Sequence, residues 1–124
     1  MATKRLRLLL VGGPMYDPLY RRLDEFTSRT GWEIEVADRL PHPALNARIA
    51  AEFTGGTARY DLISTHTKYA PSQRRWLTPL EEDLGADELA GFYRQPLNLA
   101  RIDGILFGVP RNLDVKLLYY RTDL

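Results

Sequence analysis

Five consecutive residues, Thr65-His66-Thr67-Lys68-Tyr69, bring two hydroxyls, an imidazole, an ammonium and a phenol together in one short stretch. They follow a strand-like run, "YDLIS" (Tyr60–Ser64), and loops held on such rigid elements often carry function. A solvated turn explains the same composition, and both readings stay open. Gly12–Asp17 ("GGPMYD") forms a second candidate loop, which leads into a helix whose free N–H groups could hold a carboxylate, phosphate or hydroxyl. There Gly13 and Asp17 flank Tyr16, whose ring could stack on a sugar face; the alternative is a tight turn with Asp17 as the helix cap. Leu40–Asn46 ("LPHPALN") offers His42 and Asn46 to a ligand, against which stands a capping or turn role. Near the other end, Arg111, Asn112 and Asp114 stand in "RNLD". Arg111 could grip a ligand carboxylate through two parallel hydrogen bonds, or pair with Asp114 to fix local geometry.

These groups suggest binding rather than catalysis. The sequence has no cysteine, so it has neither disulfides nor thiolate metal sites. No G-x-S-x-G, H-E-x-x-H or Walker sequence occurs, and "GGP" falls short of a dinucleotide-binding glycine pattern. His42 and His66 are the only histidines, and their spacing favours no metal site. Neither an acid–base pair nor a cofactor motif stands out. The expectation is a protein that is not an enzyme and uses no cofactor or metal.

Bulk composition agrees with a folded binding domain. The 124 residues are 44% hydrophobic, and 17 basic against 16 acidic side chains leave a net charge of +1. That length suits one domain, and the mixed charges lack the basic stripe of a nucleic-acid binder. "MATKRLRLLLVGG" begins like an export signal, but Arg7 interrupts the apolar run and no cleavage site follows. The chain as written is therefore expected to remain cytoplasmic. No apolar run is long enough to span a membrane.

Elements that could position the loops alternate along the first half. Leu6–Val11 reads as a strand buried on both faces. Asp17-Pro18 opens a helix with Leu19, Leu23 and Phe26 at helical spacing, and Gly31 ends it. Trp32–Ala37 alternates as a strand, with Trp32, Ile34 and Val36 on one face. Leu45, Ile49 and Phe53 mark a second helix that ends at Gly55-Gly56, and Tyr60–Ser64 gives the third strand. Two strand–helix units feeding a third strand predict an α/β fold with a parallel sheet. Beyond Ser64 only short helices are expected, since Pro71 and Pro79 fence the chain. Asp103-Gly104 between apolar residues signals a hairpin, and Val115–Tyr120 is strand-like again.

This order of elements resembles the bacterial extracellular solute-binding proteins of family 1, receptors of ABC importers with a type II periplasmic-binding-protein fold. Three stretches carry the resemblance: "LRLLLVGGPMYDPLYRRLDEFTSRTGWEIEV", "RYDLISTHTKYAPSQRRWLTPLEEDL" and "IDGILFGVPRNLDVKLLYYRTDL". Arg121 departs from the family's usual Asn. The resemblance implies a three-layer open, mostly parallel sheet with helices on both faces, as in the family's first lobe, followed by a hairpin and a crossing strand. It assigns 1–110 to a partial first lobe and 111–124 to the crossing segment that enters a second lobe. Family members are considerably longer, so the chain is expected to be a truncated lobe with weak or no ligand binding.

The implied partners are a small solute, either a sugar or a small polar or anionic compound, and in full-length form a membrane permease. The implied location of that parent is periplasmic or extracellular. In an open parallel sheet the ligand sits beyond the carboxyl ends of the strands, where the three loops above converge. Two alternatives remain. An unfinished strand edge could make the chain a self-associating module, in a strand-exchanged homodimer. A small α/β enzyme is the third reading, because fold alone never fixes activity.

Overall fold

The computed structural model describes residues 4–114 and 117–123. They form an α/β fold in two compact units, the first ending at Trp76 and the second beginning at Leu77. The first unit holds a parallel sheet of three strands: β1 (Arg5–Val11), β2 (Glu33–Leu40) and β3 (Leu62–Ile63). Their order is β2-β1-β3, which places β1 in the middle. The expected third strand thus shrinks from five residues to two. Central position explains the sequence of β1: Leu8, Leu9, Leu10 and Val11 are consecutive and all buried, with Leu9 fully so. A middle strand covered on both faces has no side to turn toward water.

Helices α1 (Asp17–Tyr20) and α2 (Leu23–Thr30) follow β1. A single helix was expected here. It breaks because Arg22 leaves helical geometry, with φ −92° and ψ 1°, while Tyr20 turns inward and donates its hydroxyl to the Val11 carbonyl at 2.5 Å. Of the face expected to be buried, Leu23 packs against the core while Leu19 and Phe26 are exposed, and Tyr20 is buried instead. Asp17 does not cap: Tyr16 holds that position, without a side-chain hydrogen bond, and Asp17 begins the first turn. Gly31 ends α2 in the left-handed region, with φ 74°, and its N–H reaches the Thr27 carbonyl at 2.8 Å.

The register between β1 and β2 jumps from Leu8↔Val36 to Leu9↔Asp38, so Ala37 is an extra, unpaired residue. Such a bulge resets the alternation of a strand. Up to Val36 the expected face holds, since Ile34 and Val36 pack on the core. Past the bulge, the Asp38 carboxylate accepts from Arg48 at 2.8 Å. Arg48 lies on α3 (His42–Thr54), whose Leu45 and Ile49 are buried and whose Phe53 packs behind them. Phe53 stacks on Trp76 with ring centroids 5.3 Å apart, so that tryptophan packs against the core.

The second unit contains α5 (Ala86–Ala90), α6 (Arg94–Leu99) and a hairpin of β4 (Arg101–Ile102) and β5 (Ile105–Leu106). Its turn is the expected Asp103-Gly104, with φ 51° and 82°. Positive values at both central residues match the backbone twist of a two-residue hairpin. Leu97 and Leu106 are buried, and the Leu80 N–H donates to the Leu106 carbonyl at 2.9 Å. The strand expected over Val115–Tyr120 is not present in Leu117–Tyr120; Val115 and Lys116 lie outside the described residues. Those four residues are exposed and pair with no strand among the described residues.

A polar brace secures α3 against the chain that follows it. Arg48 bonds Glu52 at 2.8 Å, and the Tyr60 hydroxyl donates to the same carboxylate at 2.5 Å. The Tyr60 hydroxyl first, and then Arg48, holds the Glu52 carboxyl below its usual value of about 4.5. A depressed carboxyl stabilises the fold above the unfolded-state pKa, and that contribution disappears as pH falls through the lowered folded-state value. In Tyr60→Phe, carbon-detected NMR titration is therefore expected to show the Glu52 pKa rising toward the ordinary range. The stability difference from wild type should narrow with acidification; an unchanged Glu52 titration contradicts the brace.

Candidate functional site

Parallel strands end on the same side, so the segments after Val11, Leu40 and Ile63 share one rim of the sheet. The first is pinned closely. Gly12 N–H donates to the Leu40 carbonyl at 2.8 Å, which continues the ladder past β1. A Cβ on Gly12 would lie 3.0 Å from the Arg39 carbonyl oxygen, so only glycine permits this approach without a shift. Gly13 adopts φ +136°, and a Cβ there would meet the Tyr16 ring at 3.6 Å. Tyr16 itself is buried in the core, with its ring centroid 6.5 Å from that of Tyr20. Its face is occupied by packing rather than presented to solvent. Asp17 is half-buried at the start of α1.

The second and third segments meet directly. His42 and Asn46 stand on the first two turns of α3 rather than on a loop, four residues apart and so on one helix face. The His42 ring sits edge-on to His66, with centroids 5.2 Å apart and planes at 83°. His66 in turn lies 6.2 Å from Tyr69. Two hydrogen bonds fold the loop back on itself: the Lys68 N–H donates to His66 Nδ1 at 3.0 Å and the Tyr69 N–H to the His66 carbonyl at 2.8 Å. The Lys68 ammonium lies over the Tyr69 ring at 5.6 Å from its centroid. His66, Thr67 and Lys68 are exposed, and Thr65 and Tyr69 are half-buried.

Gln73, a residue the sequence reading passed over, ties this corner together. It is 1% exposed on α4 (Ala70–Gln73). The Thr65 hydroxyl donates to its Oε1 at 2.7 Å, and its Nε2 donates to Asn46 Oδ1 at 3.0 Å. One side chain therefore connects α3, α4 and the loop after β3. Gln73 and Trp76 are three residues apart, the spacing of one helix face, and that was the signal available in "SQRRW". Arg74 and Arg75 attract notice by charge, yet both are exposed.

The candidate residues thus divide. His42, Asn46, Thr65, His66 and Tyr69 come together; Gly13 and Asp17 share the rim through the sheet's topology. Arg111, Asn112 and Asp114 belong to the second unit. There Asn112 Nδ2 donates to Asp114 Oδ1 at 3.2 Å. Among the described residues no group of three or more acidic or imidazole side chains could hold a metal ion. None of the described helices is long and apolar enough to cross a membrane.

No protein-family model matches the sequence, and no curated protein does so either. Solved structures do match. An ABC transporter solute binding protein from Agrobacterium radiobacter K84, in complex with ribitol, is 22% identical, with a TM-score of 0.72; the match covers 83% of this chain and 27% of that one. A maltotriose binding protein from Thermus thermophilus, bound with maltotriose, is 18% identical with a TM-score of 0.68, over 83% of this chain and 28% of its own. A de novo designed cysteine esterase also matches, at 21% identity and a TM-score of 0.67, over 86% of this chain and 27% of its own. Identities this low establish a shared fold. The chain spans between a quarter and a third of the length of these proteins.

The close approach at Gly12 is testable by itself. Gly12→Ala forces the Arg39 carbonyl or the strand end to move, and is expected to cost roughly 1–3 kcal/mol. Urea unfolding of the purified chain measures this, and a midpoint equal to wild type contradicts the geometry.

Proposed function

We propose that this chain is the solute-facing part of a first receptor lobe from an ABC importer, and that it takes a sugar, a polyol or a similar small polar solute. The observation that carries this reading is the polar rim: three segments converge at the carboxyl ends of parallel strands, in a fold shared with proteins solved with ribitol and maltotriose. Open α/β sheets hold ligands at that end. His42, Asn46, Thr65, His66 and Tyr69 form the proposed contact surface, with Gly13 and Asp17 beside it. Residues 1–110 are the partial lobe and 111–124 the segment that crosses toward a second lobe, bringing Arg111, Asn112 and Asp114 with it. The working protein is an exported receptor that delivers its solute to a membrane permease, and no catalytic step is assigned to it.

A small solute gains most of its affinity when two lobes close over it and exclude water. The matched proteins are three to four times as long as the stretch they share with this chain, which supports a one-sided site here. A second reading, self-association, draws on the exposure of Leu118, Tyr119 and Tyr120 at 91%, 85% and 80%. Apolar side chains this open suit a protein interface. Titration calorimetry with ribitol, maltotriose and an amino-acid panel, run beside sedimentation, tests both. Ribitol or maltotriose is expected to bind with millimolar or weaker Kd to a monomer. A micromolar Kd contradicts the one-sided site, amino-acid preference contradicts the solute class, and a stable dimer favours the second reading.

A further inference from the structure

We infer that Gln73 is a positioning residue that sets the hydrogen-bond polarity of the rim, and that this polarity selects a neutral diol over a carboxylate. The inference rests on the solute-binding reading above and goes further, since it names a residue that touches no solute and the ligand chemistry it imposes. Gln73 is the buried centre of a directed chain: Thr65 Oγ1 donates to Gln73 Oε1 at 2.7 Å, and Gln73 Nε2 donates to Asn46 Oδ1 at 3.0 Å. Each end of that chain is half-buried, so Thr65 and Asn46 both keep some contact with solvent.

The direction of the chain decides which valences the two have left. A hydroxyl has one proton, and that of Thr65 is committed to Gln73; Thr65 Oγ1 therefore offers only lone pairs to a ligand. Asn46 accepts from Gln73 through Oδ1, which fixes its carboxamide and turns the two Nδ2 protons to other partners. The corner thus presents an acceptor beside a donor pair. A vicinal diol satisfies both, donating one O–H to Thr65 and accepting at its neighbour from Asn46. A carboxylate oxygen has no proton to give Thr65, so a carboxylate leaves that acceptor facing another lone pair. Gln73 can impose this because it is nearly inaccessible and its carboxamide is bonded at both ends. In the low dielectric of a buried site, reversing such a pair costs more than in water.

Nitrogen-resolved NMR of the full chain tests the assignment through the side-chain amides of Gln73 and Asn46, with ribitol and the hydroxyl-free anion acetate as probes. In Gln73→Glu the carboxylate can only accept, so Asn46 must turn its Nδ2 toward it. The expected result is a downfield move of the Asn46 amide protons before any ligand is added, together with loss of their ribitol response. Asn46→Asp supplies a second variant that still accepts from Gln73 but has no donor pair; it should keep the fold and the hydrogen-bonded Gln73 amide while losing the ribitol response at the rim. An Asn46 amide that does not move in Gln73→Glu overturns the inference, as does acetate shifting the rim amides as strongly as ribitol in wild type. If neither probe shifts any rim resonance, the solute reading fails, and the polarity of the relay is then decided by the ligand-free Asn46 shift alone.

Discussion

Burial of one strand on both faces is the constraint from which the rest follows. Leu8 to Val11 occupy the middle of a three-stranded sheet and are removed from water together. Each such side chain contributes about 1.5–3 kcal/mol when fully buried. A strand with no polar face cannot lie at an edge, so β2 and β3 must flank it, and parallel pairing brings their carboxyl ends to the same side. The polar segments then share a rim because the apolar ones share a core.

Polar contacts refine what that core positions. The bulge at Ala37 carries Asp38 to Arg48, and Arg48 leads through Glu52 to Tyr60, so α3 is braced along its solvent side. At the opposite end of the same helix, His42 and Asn46 are joined to the loop after β3 by an imidazole pair and by the Gln73 relay. Buried amides must find partners or forfeit their hydration, so Gln73 orders the corner as effectively as an apolar residue would. Stability and the presentation of polar groups are thus served by the same helix.

Much of this was legible in the sequence. Four consecutive apolar residues announced the buried strand, Leu45, Ile49 and Phe53 announced α3, and Asp103-Gly104 announced its hairpin. Local patterns failed where a distant partner decides. Tyr20 reads as one more aromatic until its hydroxyl is seen on the Val11 carbonyl, and that contact breaks the helix expected through Arg21 and Arg22. Tyr16 looked like a sugar platform but is consumed by packing, because Gly13 lets the chain fold its ring inward. Gln73 was hidden beside two arginines whose charge draws the eye, although burial rather than charge gives it a role. Strand propensity in Leu117–Tyr120 meets no ladder partner among the described residues, and β-propensity without a partner specifies little.

The central claim is that the strand-end segments form one solute-binding rim. Backbone amide shift mapping of the isolated chain, at high millimolar ribitol, tests it most directly. The account predicts concentration-dependent shifts gathered in 12–17, 41–46 and 64–69. Shifts gathered instead at the amino ends of the strands, around Arg5, Glu33 and Asp61, or the absence of any response at the rim, would contradict it.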